Sequence, residues 1–129
     1  NINEIITMAS IVENEAELDA ERDKVASVFY NRLSKNIKLE SCATVQYALG
    51  QHKEKLYYKD LKIKSPYNTY IVKGLPPGPI CSPGRKSIEA ALNPAKTEYL
   101  YFVSKNDKTH FFTKDYKEFL KVKSKTQQY

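Results

Sequence analysis

The sequence predicts a single α+β domain, with several helices first and a small antiparallel β element near the end of the chain. The length of 129 residues suits one domain that buries its own core. Through residues 1–50, apolar residues recur every three or four positions, which is the spacing of amphipathic helices. Residues 99–113 instead form two short, aromatic-rich runs around the turn sequence Asn106-Asp107-Lys108.

Start and stop signals divide the helical part into separate segments. Asp19 and Ser82 are expected to cap the starts of the second and fourth helices, and Gly50 is expected just past the end of the third. Pro83 suits the first position of the fourth helix, because no N–H is needed there. The predicted helices cover about residues 2–17, 20–33, 43–49, 83–92 and 114–123.

The other segments are predicted to be strands or irregular structure. Residues 65–72 are expected to be extended after a proline, and residues 99–103 and 110–113 are expected to pair as strands. The prolines and glycines of residues 74–80 forbid a helix and hold the backbone stiff.

The charge of the chain is basic, with 21 Lys and Arg residues against 15 Asp and Glu residues. A net charge of +6 suits nucleic acid or an anionic cell-wall polymer as a partner. Nucleic acid is not expected, because the sequence has no helix-turn-helix, zinc or RNP motif. No apolar run is long enough to span a membrane. The helical pattern begins almost at Asn1, so residues 1–129 are expected to be one domain of a longer protein.

The two cysteines, Cys42 and Cys81, lack the close spacing of a metal or redox motif, and neither has a histidine close in sequence. We therefore expect no metal, and the chemistry proposed below needs no cofactor. A disulfide between the two cysteines is one interpretation if the domain works outside the cytoplasm, and two buried thiols are the other.

Glu13 differs from the other acidic residues of the first predicted helix. At about 100° per residue, its side chain falls inside the apolar stripe centred near Ala9. Glu4 and Glu15 project well away from that stripe. Burial raises the pKa of a carboxyl group, and a carboxyl group that stays protonated near neutral pH can act as a general acid. A structural pair between a buried Glu13 and an arginine, such as Arg32, is the alternative.

A polar and aromatic cluster lies in the predicted extended segment and consists of Tyr67, Asn68, Thr69 and Tyr70. Aromatic rings pack on the CH faces of sugars, and amide and hydroxyl groups bind sugar hydroxyls. The cluster therefore suits a carbohydrate site, and an edge strand that buries its tyrosines is the alternative. The stiff loop of residues 74–80 suits either a preformed cleft wall or a rigid connection.

Six stretches of the chain form an ordered series of motifs. They are ASIVENE at residues 9–15, VASVFYNRL at 25–33, SPYNTY at 65–70, GLPPGPI at 74–80, AALNPA at 90–95 and YLYFV at 99–103. Together they resemble the endolytic murein transglycosylases, also called MltG or YceG-like proteins. The similarity covers nearly the whole chain.

The resemblance implies a lysozyme-like catalytic domain that cleaves the β-1,4 bond between MurNAc and GlcNAc in peptidoglycan glycan strands. The cleavage is not hydrolytic and leaves 1,6-anhydroMurNAc ends. The resemblance assigns the catalytic glutamate to Glu13, which acts as acid and then as base. It also implies a membrane-anchored parent protein at the extracytoplasmic face of a bacterial membrane. The expected partners are peptidoglycan and the cell-wall synthesis machinery.

The expected substrate-binding residues include His110, which matches a family histidine on the returning strand and which we interpret as a cleft-wall or structural residue. The chain departs from the family pattern at Cys42-Ala43, where many members carry Asp-Pro, and at Phe119-Leu120, where a His-Asn pair is common. No role is therefore assigned to the last helix. The full set is Tyr67, Asn68, Thr69, Tyr70, Glu40, Thr44, Pro77, Gly78 and His110.

Two other functions stay open. A hydrolytic muramidase on the same fold would need a second carboxylate across the cleft, for which Glu40 and Asp60 are the candidates. A non-catalytic cell-wall-binding module would use Glu13 only as a buried structural acid.

Overall fold

The computed structural model describes residues 1–126, and it confirms the α+β class. The helices are α1 (Ile2–Glu15), α2 (Arg22–Ser34), α3 (Cys42–Leu49), α4 (Arg85–Leu92) and α5 (Tyr116–Thr126). The strands are β1 (Tyr101–Ser104) and β2 (His110–Thr113), and short 3-10 turns lie at Asp19–Glu21 and Asp60–Lys62.

Helix α1 lies at the centre of the domain and contacts α2, α3 and α4. Its start is fixed by a capping box. The side chain of Asn1 accepts from the backbone N–H of Glu4, and the side chain of Glu4 accepts from the backbone nitrogen of Asn1. Six consecutive residues, from Thr7 to Val12, are buried. A helix buried on all sides has no single inner stripe, so the spacing of its apolar residues does not show which neighbour a given side chain faces.

The core is formed where α1, α2 and α4 meet, and the loop residues Leu39 and Ile80 complete it. Phe29 is the largest side chain that is almost fully buried there. The core side chains of the three helices are Met8, Ala9, Ile11, Val12, Ala16, Val25, Ala26, Phe29, Ala90 and Ala91.

The two strands form an antiparallel hairpin, with Tyr101 opposite Thr113 and Ser104 opposite His110. The predicted second strand is confirmed, and the first begins two residues later than the prediction. Helix α5 packs against both strands. The rings of Tyr101 and Phe119 stack at a centroid distance of 5.1 Å, which attaches α5 to the hairpin.

Three local predictions are wrong. Residues 65–72 are a succession of turns, not an extended segment. Helix α4 begins at Arg85 with Gly84 as its N-cap, so Ser82 and Pro83 precede it. Asp19 lies in a 3-10 turn, where its carboxylate accepts a hydrogen bond from the side chain of Arg22 and does not cap α2.

Within residues 1–126, no helix is both long and apolar enough to cross a membrane. The same residues contain no cluster of three or more His, Cys, Asp or Glu side chains that could hold a metal ion. Cys42 and Cys81 are thiols without a disulfide between them. The Sγ atom of Cys81 donates to the carbonyl of Ser10, and that of Cys42 lies 3.3 Å from the hydroxyl of Tyr70.

Candidate active site

A cavity of about 310 Å³ lies between the helical core and the hairpin. Its walls come from the end of α1, the inner face of α2, the start of α3, both strands and α5. This volume is at the small end of the range for ligand sites, roughly 300–1,000 Å³. The cavity therefore has room for part of an extended substrate and not for all of it.

Glu15, the last residue of α1, provides a carboxyl group to this cavity. Its Oε2 accepts a hydrogen bond from the hydroxyl of Ser41 at 2.5 Å and one from the backbone N–H of Ala43 at 3.3 Å. Burial raises the pKa of Glu15 above its ordinary value, although these hydrogen bonds and the charge of His110 act in the opposite direction. The desolvation of the carboxylate is thus the larger effect, and the site favours the protonated acid.

A buried polar network holds Ser41 in place for this contact. The backbone N–H of Ser41 donates to the hydroxyl of Thr69 at 2.9 Å, and that hydroxyl also bonds to the hydroxyl of Thr44 at 2.8 Å. Asn68 fixes the turn before Thr69, because its amide donates to the carbonyls of Leu61 and Ile63. Thr44, Asn68 and Thr69 are each at most 1% exposed. In this structure they are buried and support the position of Ser41 beside Glu15.

Glu13 lies on a different side of α1, against the start of α4. Its Oε1 accepts hydrogen bonds from the backbone N–H of Gly84 and the hydroxyl of Ser87, both at 2.9 Å, and its Oε2 lies 3.7 Å from Arg22. These contacts, the Gly84 bond foremost, lower the pKa of Glu13. The expected raised pKa is wrong, because strong donors outweigh a partial burial that leaves 32% of the side chain exposed. Its arginine partner is Arg22, and not Arg32, which the alternative interpretation gave as an example.

An aromatic wall lines the same cavity as Glu15. Tyr101, Tyr116 and Phe119 pack against one another at centroid distances of 5.1 to 6.1 Å, and all three line the cavity. Lys123 lies on the same wall, with its ammonium 5.5 Å from the Phe119 ring. Sequence analysis assigned no role to α5. One helix face nevertheless carries four of its residues at spacings of three and four, which could have indicated a shared surface from the sequence. They are Tyr116, Phe119, Leu120 and Lys123.

Three of the expected substrate-binding residues, Tyr70, Glu40 and His110, line the cavity. Tyr67 does not line it and packs on Tyr47 at a ring distance of 4.8 Å. The remaining five, Thr44, Asn68, Thr69, Pro77 and Gly78, also lie outside its lining. The loop of residues 74–80 is irregular as predicted, but it contacts the Tyr67 side of the domain: a Cβ on Gly78 would lie 3.5 Å from the Tyr67 hydroxyl.

The two candidate second carboxylates differ in position. Glu40 lines the cavity with Glu15, and its Oε1 lies 3.5 Å from the guanidinium of Arg32. Asp60 is 8% exposed, pairs with the ammonium of Lys53 at 2.9 Å and caps the N–H of Tyr57. Asp60 is therefore a structural acid, and Glu40 is the carboxylate that shares the cavity.

A buried contact between Glu21 and His110 joins the hairpin to the turn before α2. Glu21 accepts two hydrogen bonds from His110, one from the ring Nδ1 at 2.9 Å and one from the backbone N–H at 3.0 Å. The His110 side chain is 6% exposed and lies edge-on to Phe102 at 5.4 Å. The imidazole that faces the cavity is thereby held in one orientation.

Comparison with known proteins gives a consistent picture. A profile described as the YceG-like family matches residues 1–125. The endolytic murein transglycosylase of Bacillus subtilis is 53% identical over 125 residues, which are 97% of this chain and 35% of that protein. The endolytic murein transglycosylase of Streptococcus pneumoniae serotype 2 is 40% identical over 108 residues, which are 80% of this chain and 20% of that protein.

A solved structure has the same fold. The crystal structure of a YceG-like protein from Listeria monocytogenes matches with a TM-score of 0.87 at 50% sequence identity. The match covers 93% of this chain and 38% of that one. The chain thus spans between 20% and 38% of the length of the relatives and the solved structure that it matches.

Proposed function

The chain belongs to the YceG-like family, and on that premise we propose that it is the catalytic domain of an endolytic murein transglycosylase. Its substrate is the glycan strand of peptidoglycan, which it cleaves between MurNAc and GlcNAc to leave a 1,6-anhydroMurNAc end. The observation that carries the proposal is a carboxyl group with a raised pKa, Glu15, inside a cavity with one aromatic wall.

We assign the acid–base role to Glu15 in place of Glu13. A general acid must hold a proton near neutral pH, which the desolvated site of Glu15 favours and the donor-rich site of Glu13 opposes. Glu15 also lines the cavity, whereas Glu13 does not. Glu13 instead joins α1, α2 and α4 through Gly84, Ser87 and Arg22.

The reaction needs one carboxyl group used twice. Glu15 donates its proton to the glycosidic oxygen as the bond from that oxygen to C1 of MurNAc breaks. The resulting carboxylate takes the proton of the C6 hydroxyl of the same MurNAc, and that oxygen forms the new bond to C1. The proton balance closes, Glu15 returns to the protonated state and no water is consumed. Ser41 and Ala43 donate hydrogen bonds to the carboxylate while it carries the charge.

The aromatic wall suits the apolar face of a pyranose ring. Tyr116 is 53% exposed at the edge of the cavity, so part of its ring is accessible to a sugar. Rings of this kind pack on sugar CH groups, and the nearby Lys123 suits an anionic substituent of peptidoglycan. The protein that contains this chain would act outside the cytoplasm, where peptidoglycan lies, and would be anchored in the membrane by a segment other than residues 1–126.

Matched glutamine variants of the two acids test the proposal. The protein carrying Glu15→Gln should lose roughly 10²- to 10⁴-fold in glycan cleavage, because the amide cannot donate a proton in the first step. Glu13→Gln should keep activity within a few-fold of wild type. The measurement is mass spectrometry of purified peptidoglycan after digestion, with circular dichroism to confirm folding. Unchanged cleavage by the Glu15 variant, or loss confined to the Glu13 variant, would overturn the assignment.

A hydrolytic muramidase is the second candidate, because Glu40 shares the cavity with Glu15. Hydrolysis would leave a reducing MurNAc end, which is one water heavier than the anhydro end. Glu40→Gln should preserve both the rate and the anhydro product if the transglycosylase mechanism holds. Reducing ends in the wild-type digest, together with their loss in Glu40→Gln, would favour the muramidase.

A further inference from the structure

The pair of Glu21 and His110 is more than a link between the hairpin and the turn before α2. One carboxylate of Glu21 binds both the ring nitrogen and the backbone N–H of His110, at 2.9 and 3.0 Å. Both side chains are largely buried, at 13% and 6% exposure. The ring contact with Glu21 holds the imidazole in place at the cavity that His110 lines.

His110 and Glu15 come from distant parts of the chain and meet at this cavity. Because the Nδ1 of His110 lies 2.9 Å from the Glu21 carboxylate, Glu21 fixes the orientation of the His110 ring at the wall of the cavity. Glu15 must become a carboxylate between the two steps of the proposed reaction. A cationic neighbour held at fixed distance stabilises that charge.

We propose that the Glu21–His110 pair is a positioning device for the acid–base cycle, in which Glu21 orients His110 so that the ring, in its cationic form, balances the charge of the Glu15 carboxylate. This inference rests on the proposed function of Glu15. His110 touches neither leaving group nor attacking oxygen in this scheme, and it acts only through Glu15.

Other titratable groups also surround Glu15. Arg32 is compensated by Glu40 at 3.5 Å and donates to the carbonyls of Lys38 and Leu100, so its charge is shared. The remaining titratable groups of the cavity are Cys42 of α3, Tyr70 of the turn segment, Tyr101 of β1, and Tyr116 and Lys123 of α5. Burial raises the pKa of Glu15, and the charge of His110 partly offsets that rise.

The sign of the expected effect follows from this balance. The enzyme is active while Glu15 is protonated, so activity falls as the pH rises through the pKa of Glu15. Without the charge of His110, less opposes the effect of burial on Glu15, so the pKa of Glu15 rises further. The alkaline limb of the pH profile therefore moves to higher pH when His110 is neutral or absent.

The experiment is a pH profile of kcat/KM on peptidoglycan for the protein that contains this chain. His110→Gln should move the alkaline limb upward by about half a pH unit or more. Glu21→Gln should move it in the same direction by less, because the imidazole remains but loses its partner. His52→Gln and Glu17→Gln are matched controls at exposed positions outside the cavity, and their limbs should stay in place.

If the Glu21–His110 pair had only a structural role, its loss would lower kcat/KM at every pH and leave the alkaline limb of the profile in place. That outcome in both folded variants, His110→Gln and Glu21→Gln, would overturn the proposal. If His110→Gln fails to fold, Glu21→Gln and a ¹³C titration of the Glu15 carboxyl group decide the question by the same criterion. Retained activity in Glu15→Gln would instead refute the proposed function itself, so the two failures are distinguishable.

Discussion

Glu13 and Glu15 lie two residues apart on one helix, and their pKa values are shifted in opposite directions. Each carboxylate accepts a serine hydroxyl and a backbone N–H from the start of another helix or its N-cap, Glu13 at α4 and Glu15 at α3. Arg22 adds a positive charge beside Glu13. Glu15 is more strongly desolvated, and desolvation outweighs its hydrogen bonds. Hydrogen-bond donors of the same kind thus leave the pKa of Glu13 lowered and the pKa of Glu15 raised.

The difference shows that solvation, and not the number of hydrogen bonds, separates a structural acid from a candidate catalytic acid here. Glu13 connects α4 to α1 and α2, and its pKa is lowered. Glu15 lines a cavity, and its pKa is raised. Both glutamates lie in the last turn of α1, but only Glu15 lines the cavity, as a catalytic acid must.

Removal of the Asn68 side chain, which fixes the turn before Thr69 and Ser41, should give the largest loss of stability. Asn68→Ala deletes an amide that donates to two carbonyls and accepts from the N–H of Tyr70, all in a fully buried position. We expect a loss of about 2–4 kcal/mol in the free energy of unfolding, because buried carbonyls are left unpaired. Urea denaturation measures it, with Asn93→Ala at the exposed end of α4 as the control. A sugar-binding role for Asn68 would instead raise KM and leave stability unchanged.

Changes at the two acids should alter stability in opposite directions near neutral pH. Glu13→Ala should lose about 1–2 kcal/mol, since it removes hydrogen bonds to a charged group. Glu15→Gln should be as stable as wild type or more so, because the amide avoids a desolvated charge. Thermal or urea unfolding at pH 7 measures both. A destabilised Glu15→Gln together with a neutral Glu13→Ala would contradict the comparison.

The pH dependence of the Glu13 effect has a defined sign. Its folded pKa is depressed below 4.5, so its contribution is present above that pH and is lost as the pH falls through the folded value. The stability difference between wild type and Glu13→Ala should therefore shrink in acid.

Much of the fold follows from local sequence signals. The start of α1 at Ile2, the left-handed Gly50 with φ of 74° after α3, and the strand His110–Thr113 all agree with prediction. Each depends on residues adjacent in the chain, namely a helix cap, a glycine and an aromatic run. The irregular course of residues 74–80 follows in the same way from its prolines.

The site was predicted less well, because its chemistry depends on contacts between distant residues. Ser41 reaches Glu15 across 26 positions and Gly84 reaches Glu13 across 71, and no periodicity in α1 contains that information. One signal was available for the turn segment: Asn68 accepts from the N–H two residues later, which is an Asx turn and a structural use of asparagine.

The most direct test of the account is a ¹³C NMR titration of the side-chain carboxyl groups, assigned by comparison with Glu13→Gln and Glu15→Gln. The account predicts that Glu15 titrates above 4.5 and Glu13 below it, so that near pH 4.5 the first is mainly protonated and the second mainly ionised. The reverse order, with Glu13 holding its proton to higher pH than Glu15, would contradict the assignment of the acid–base role.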